Sequence, residues 1–586
     1  MYAQVAIKPN PLLRNGAYGI VMRGVQKCTR GCSSLRGRNK LPLCCIKLDT
    51  ATDPCMGSGH ILAYAFDVLM EIYREYGYTD KEAVAEIVQN NLHGFDIDER
   101  CTQLAYFVVM MKARQYDARF FKRGLYPQVY YPKADSNLKN YGSLLQVDAL
   151  EAKPEEPEEI TLFDMDYDIK LNDWNCRRLL SKKYAVVCTN PPYLNKYNDK
   201  LKKFVTENYK DYSGDLFSVF IYRNFGFCQK EGYSAFMTPF VWMFIKTYEK
   251  LREYIIKNKS ITSLIQMEYS AFEEATVPIC SFVLQNCKSE NKSLCFRLSD
   301  FKGGMEVQKE KVLEAIQNPD CGYFYESQQS YFSKIPGSPV AYWMTHQMLI
   351  AYEDEDKLIG NIASPCAGLA TGNNDIFQKH WYEVCYTNIG FGITDVKETV
   401  ERQEKWYPCN SGGAFRKWST DDIMIVNWQK DGEAIKNYRN AAGRIGSRPQ
   451  NTHKYFKEGL TWNKLSSSKF AVKYKKSGYI FDDTSRSAFP KDKNYLYYCI
   501  GLLCSKVAFE YLKALNPTMS FTNGDIIRIP CKTINIYVDK INNIVKNNIA
   551  ISRNDWDSFE TSWDFQIHPL IRPVSTVADA FAQWEV

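Results

Sequence analysis

No stretch of about 18 consecutive apolar residues occurs in the 586-residue chain, so no transmembrane helix is expected. The N-terminus lacks the apolar core of a secretory signal peptide. The nineteen cysteines do not suggest a disulfide framework in a chain this long. Cys188, Cys280, Cys499 and Cys504 sit in apolar runs and read as reduced packing residues of a cytoplasmic protein. Cys28, Cys32, Cys44 and Cys45 lack the common CxxC spacing and a nearby histidine, so no zinc site is expected there. No internal repeat of fixed period is present. Acidic residues are absent from the first 48 positions, which hold nine Lys or Arg. The net charge of +7 therefore lives in that segment, and the rest of the chain is slightly acidic. Bulk charge alone gives no warrant for nucleic-acid binding.

What is present fits a globular chain of several domains, at roughly 100–200 residues each. Residues 1–43 sustain no hydrophobic period and read as an atypical, disordered or misassigned start. Cys44–Leu48 reads as a short buried strand, followed by a Gly-rich turn over Asp53–His60 and a helix over Ile61–Tyr76. Thr79 and Glu82 form a capping-box pattern that opens a second helix. A strand over Leu92–Ile97, a helix over Glu99–Arg114 and a candidate strand over Leu144–Val147 follow. Tyr184–Cys188 is an apolar strand, and helices are expected at 199–209 and 215–229. A strand at Tyr233–Met237, a helix at Thr247–Lys257 and a strand pair at Ile261–Met267 and Ile279–Gln285 complete the pattern. Strands separated by helices imply a doubly wound α/β sheet of Rossmann type. The expected division is a catalytic domain over 44–300, a helical connector over 301–340, and a mixed α+β region over 341–586.

Three short segments carry chemistry. In Asp53-Pro54-Cys55-Met56-Gly57-Ser58-Gly59 two glycines let the backbone pass close to a ligand at a helix N-terminus. By itself that is also an ordinary tight turn. In Gly94-Phe95-Asp96-Ile97-Asp98 an acid ends the next strand, where it can accept hydrogen bonds from both hydroxyls of a ribose. An ordinary helix N-cap is the plainer role there, and it suits Asp98. Asn190-Pro191-Pro192-Tyr193 is the specific segment. Two prolines donate no backbone hydrogen bonds and stiffen the turn. The Asn190 side-chain oxygen and the Pro191 carbonyl can each accept one N–H of an exocyclic amine. That draws the nitrogen lone pair out of ring conjugation, and Tyr193 can stack on the ring.

These segments resemble the amino-methyltransferases of DNA modification, in the motif order of the gamma subgroup. Their wording, DPCMGSGHIL with NPPYLNKYND, is similar to the large methyltransferases of BREX phage-defence systems. The resemblance implies S-adenosylmethionine as cofactor, held by Asp53, Gly57, Gly59, Asp96 and Ile97, with Asp148 on its adenine amine. It implies catalysis by Asn190, Pro191, Pro192 and Tyr193 on a flipped adenine, with Tyr193 and Phe272 stacking on the base, and no metal. It also implies double-stranded DNA as substrate, other defence subunits as partners, and no membrane. Members of the subgroup carry a cofactor-binding segment with Phe-Thr-Pro before the first motif, absent here, so a truncated chain with weak cofactor affinity is expected.

Between residues 439 and 476 lie Arg439, Arg444, Arg448, Lys454, Lys457, Lys464, Lys469, Lys473, Lys475 and Lys476, with Tyr455, Phe456 and Trp462 among them. Glu458 alone interrupts them. Such a run suits phosphate neutralisation, with Arg444, Arg448, Lys454 and Lys457 the expected DNA contacts. A solvated basic face is the plainer reading. Three other functions share parts of the pattern: a protein glutamine methyltransferase, the modification half of a fused restriction enzyme, and a non-catalytic DNA-binding subunit.

Overall fold

The computed structural model describes residues 50–157, 165–269, 277–354, 357–466, 469–516, 520–532, 535–571 and 573–585. The chain divides into two compact units between Trp343 and Met344. The expected strand Cys44–Leu48, the four N-terminal cysteines and Phe272 lie outside the described residues.

Among the described residues the first unit builds one nine-stranded sheet, ordered β3-β2-β1-β4-β5-β7-β6-β8-β9. Its strands are β1 (Ala51–Asp53), β2 (Leu92–Phe95), β3 (Gln128–Tyr130), β4 (Tyr184–Thr189) and β5 (Cys228–Pro239), then β6 (Ser260–Gln266), β7 (Ile279–Gln285), β8 (Ser293–Arg297) and β9 (Phe324–Ser327). Strands β1 to β5 pair in parallel. β7 inserts antiparallel between β5 and β6. β1, β2 and β4 are buried along their whole length, as strands covered on both faces must be. That is why β4 reads as an unbroken apolar run. The strand order reverses between β1 and β4, and the carboxyl ends of strands at such a point leave a crevice for ligands.

The helices flank the sheet as their apolar spacing requires. His60–Glu75 buries Leu62, Ala65, Phe66, Leu69, Ile72 and Tyr73. The Thr79 capping box is present, with Thr79 N donating to Glu82 Oε2 at 2.9 Å. Two elements differ from expectation. Leu144–Val147 is not a strand. Gly142–Leu144 is a 3-10 turn that follows the helix Ser136–Tyr141. The third strand is Gln128–Tyr130 instead, only three residues long and half buried, so its sequence carries almost no period. The first sheet also continues past residue 300: β9 pairs antiparallel with β8 after the helix Gly304–Gln317.

The second unit holds a five-stranded sheet, β10-β18-β15-β16-β13, and a four-stranded sheet, β11-β14-β12-β17. These strands are β10 (Ala363–Cys366), β11 (Gln378–His380), β12 (Trp406–Asn410), β13 (Trp418–Ser419), β14 (Met424–Asn427), β15 (Gly459–Asn463), β16 (Val472–Lys475), β17 (Ile480–Phe481) and β18 (Ser485–Pro490). Its core gathers Trp428, Tyr455, Phe456, Ile480 and Phe481. Helices Leu496–Leu503, Lys506–Leu515 and Asn535–Trp556 complete a mixed α+β unit.

Candidate active site

The chain leaves β1 through the turn Pro54–Gly59. Gly59 takes φ +82°, and a Cβ there would fall 2.9 Å from Ala105 Cα, so both conformation and packing demand glycine. The Gly57 amide donates to Asp96 Oδ2 at 2.9 Å, tying the turn to the end of β2. The Asp98 amide donates to Asp96 Oδ1 at 2.9 Å. Burial raises the Asp96 carboxyl above its ordinary range, against these amides. Each carboxylate oxygen keeps a lone pair for a further donor. Asp98 takes the capping role, accepting from the amides of Arg100 and Cys101. The two acids two residues apart therefore divide the work: one caps a helix and the other faces the crevice.

Asn190 follows β4 directly and is exposed. The Tyr193 hydroxyl lies 2.9 Å from Asn190 Oδ1 and 3.1 Å from the Met237 carbonyl oxygen. A hydroxyl has one hydrogen, so these two acceptors share it. The Tyr193 ring meets Phe217 edge-on, with centroids 6.3 Å apart. Buried Asp215 pins the loop behind the motif: its Oδ1 accepts from the amides of Leu194 and Phe217, at 2.9 and 3.3 Å.

A cavity of 360 Å³ joins these parts. Its wall includes Pro54, Phe95, Asp96, Ile97, Tyr141–Leu144, Asn190, Pro192 and Leu201. Asp53, Gly57, Gly59, Pro191 and Tyr193 do not border it. Asp53 is fully buried behind the turn, where its Oδ1 accepts from the Cys55 amide at 3.0 Å. Burial pushes its carboxyl up to about 7. Asp148 is a correction. It borders a different cavity, of 430 Å³, with Leu180, Ser181 and Lys183. Those residues precede β4, at the amino end of the strand, whereas Asn190 follows its carboxyl end. The chain touches the first cavity at Gly142–Leu144 and has left it by Asp148.

The residue that holds this wall is not among those singled out in the sequence. Arg223, buried on the helix Leu216–Phe227, donates from Nε to the Ser143 carbonyl at 3.1 Å and from Nη2 to the Leu145 carbonyl at 2.9 Å. Its guanidinium lies over the Phe227 ring at 3.8 Å. Ser143 in turn donates to the Pro54 carbonyl at 2.7 Å. A periodic pattern could have placed Arg223 on a buried helix face, since Val219, Phe220 and Phe227 flank it.

The basic run of the second unit is taken apart by the fold. Lys473 and Lys475 share one face of β16 and are 2% and 0% exposed. Tyr455, Phe456 and Trp462 are core residues, not a stacking platform for bases. Lys457 pairs with Asp395, Lys464 with Asp483 and Lys476 with Asp564. Lys454 is half buried over the Phe489 ring at 5.4 Å. Arg444 and Arg448 are exposed and make no ion pair among the described residues.

Residues 90–272 match the family model described as Eco57I restriction-modification methylase. Over 590 residues the chain is 34% identical to the adenine-specific methyltransferase PglX of Lacticaseibacillus casei (strain Zhang), covering 92% of this chain and 49% of PglX. The chain is thus similar to PglX over most of its own length, and part of its first unit matches the methylase family model. BrxX of Escherichia coli O9:H4 (strain HS), another adenine-specific methyltransferase, is 28% identical over 91% of this chain and 48% of its own length. The chain thus spans about half the length of these curated relatives. Two solved structures share the fold. A nuclease-deletion mutant of the Type ISP restriction-modification enzyme LlaGI, in complex with a DNA substrate mimic, gives TM-score 0.54 at 12% identity, covering 86% of this chain and 44% of that one. The Type IIL restriction-modification enzyme MmeI in complex with DNA gives TM-score 0.54 at 11% identity, covering 92% and 69%.

Proposed function

We propose that the chain transfers a methyl group from S-adenosylmethionine to the N6 amine of an adenine in DNA, as the modification component of a BREX-type defence system. One observation carries this reading: Asp96 and Ile97, from the cofactor motif, and Asn190 and Pro192, from the amine motif, open into one cavity. Its volume lies in the range of ligand pockets, roughly 300–1,000 Å³. Phe95, Ile97 and Leu144 offer apolar walls for an adenosine. The remaining lone pairs of Asp96 suit two ribose hydroxyls. The cofactor, when bound, supplies an electrophilic methyl group on sulfur.

The chain's own residues prepare the amine. Asn190 Oδ1 accepts one N–H of the flipped base, and the Pro191 carbonyl accepts the other. Met237 offers the Tyr193 hydroxyl a second acceptor, so the hydroxyl can turn to it and release Asn190 Oδ1 to the base. Holding both N–H groups turns the lone pair toward the methyl and stabilises positive charge as it develops on nitrogen. The nitrogen then loses one proton to solvent. Base extrusion costs a few kcal/mol, and stacking on Tyr193 and Phe272 offsets part of it. Recognition of the sequence falls to the second unit, where Arg444 and Arg448 are exposed. Other defence subunits are the expected partners.

The test is methyl transfer from labelled S-adenosylmethionine to DNA and to protein offered together. Label should reach adenine N6. Asn190→Ala should reduce the rate by about 100-fold or more while duplex binding persists. Label on a glutamine side chain, or an unimpaired Asn190→Ala, would overturn the assignment.

A further inference from the structure

One hairpin of the second unit carries cations that the fold does not engage. Arg439 and Ile445 form an antiparallel bridge. The Asn440 amide donates to the Arg444 carbonyl at 2.9 Å, and the Gly446 amide donates to the Tyr438 carbonyl at 3.0 Å. Inside the turn, Asn440 Oδ1 accepts from the amides of Ala442 and Arg444, at 3.0 and 3.2 Å. The tip is therefore fixed by its own polar groups. The stalk is fixed as well. Ala370 and Arg448 exchange two backbone hydrogen bonds, at 3.1 and 2.7 Å. A Cβ on Gly372 would fall 2.6 Å from the Gly446 carbonyl carbon, so that loop and the hairpin touch backbone to backbone. The Tyr438 ring meets Phe377 edge-on at 5.3 Å.

What this rigid element presents is unusual in combination. Among the described residues, the Arg439 side chain donates only to the Gly443 carbonyl of the same hairpin. Arg444 and Arg448 have no carboxylate partner among the described residues, and positions 437–457 contain no Asp or Glu. Ile445, between the two, is 62% exposed. A single exposed isoleucine is ordinary on a protein surface. An exposed isoleucine on the arm of a closed hairpin, just past its turn and flanked by arginines with no carboxylate partner among the described residues, matches the chemistry of a DNA groove. Arginine forks fit phosphate and guanine edges, and apolar side chains fit the thymine methyl. A preformed hairpin also loses little conformational freedom on binding.

We propose that hairpin 438–448 enters a DNA groove, with Arg444 and Arg448 on the backbone or a guanine edge and Ile445 in contact with a base. This rests on the reading that the chain acts on DNA. The experiment uses the full chain and a duplex library with a randomised centre, read by selection and by salt-dependent affinity. Arg444→Ala should weaken binding to the unselected library about tenfold and lower the slope of log affinity against log salt by about 1. Ile445→Ala should leave that slope unchanged but relax the selected motif at one or two positions. Lys464→Ala, which removes a cation already paired with Asp483, should change neither. Arg444 and Ile445 are exposed and Lys464 is half buried, and all three variants should melt within a few degrees of the parent. If the parent binds selectively while Arg444→Ala and Ile445→Ala keep both motif and slope, the hairpin assignment fails and the DNA reading stands. If the parent itself shows no salt-dependent DNA binding, the DNA reading fails, and the hairpin assignment with it.

Discussion

Each unit buries several ionisable groups, and one from each, of opposite sign, makes the comparison. The first hides Asp53 behind the turn that follows β1, where the Cys55 amide meets one of its oxygens. The second hides Lys475 at the end of β16, where its Nζ donates to the carbonyls of Lys457 and Tyr479, both at 2.7 Å. Burial pushes the carboxyl up to about 7 and the ammonium down to about 7. The comparison teaches where a fold tolerates an interior ionisable group. Each sits beside backbone polar groups that the secondary structure leaves over. The amide of a turn needs an acceptor, and the carbonyls at strand ends need a donor.

The opposite signs give opposite pH responses. Folded Lys475 prefers its neutral form, so between pH 7 and its unfolded value of 10.5 the unfolded chain binds more protons. Stability contributed by this site therefore rises with pH across that window, by about 5 kcal/mol at most. Lys475→Met removes the window. Denaturant unfolding of variant and parent should show the variant's relative stability falling as pH rises from 7 toward 10. A difference independent of pH would mean that Lys475 stays charged when folded.

Asp53 should behave as the mirror image, with a slightly smaller effect. Between its unfolded value of 3.8 and about 7 the folded chain binds more protons, so its contribution falls as pH rises. Asp53→Asn keeps an acceptor for the Cys55 amide and cannot ionise. Its gain over the parent should be absent near pH 4 and reach about 4 kcal/mol at most by pH 8. A variant that is less stable at pH 8 than at pH 4, relative to the parent, would show that the carboxylate is held by the fold as an anion.

Arg223 sharpens the contrast, because it is a buried cation that keeps its charge at neutral pH. Its role is mechanical: it holds the carbonyl of Ser143 in the cavity wall and that of Leu145 just past it. Arg223→Met should cost about 2 kcal/mol and raise the KM for S-adenosylmethionine at least tenfold, with kcat and DNA affinity little changed. Arg223→Lys should recover part of the cofactor affinity. Equal losses in kcat and DNA binding would indicate general unfolding of the unit instead.

Much of the first unit was legible as sequence because its signals are local. The Gly-rich turn, the acid after β2 and Asn190-Pro191-Pro192-Tyr193 are each set within a few residues, by backbone conformation and by strand ends. The alternation of buried strands and amphipathic helices implied a doubly wound sheet, and the ordering of β1, β2, β4 and β5 agrees. Short β3 escaped because three half-buried residues carry no period. Asp148 was misplaced because its position depends on how the chain turns at Gly142–Leu144, a matter of contacts with Ile97 and Arg223 rather than of its own neighbours.

The sequence by itself determined the motif segments, the strand and helix pattern around them and the resemblance they carry. Tertiary structure alone decided which of those residues border the cavity: Asp96, Ile97, Asn190 and Pro192 do, while Asp53, Gly57 and Gly59 build the turn behind it. It alone decided the fate of the basic run. Strand alternation carried Lys473 and Lys475 inward, and distant acids at 395, 483 and 564 claimed Lys457, Lys464 and Lys476. Charge in a sequence is a count along one dimension. Whether a cation faces solvent, a carboxylate or the core depends on which remote strands pair beside it, and no local pattern encodes that pairing.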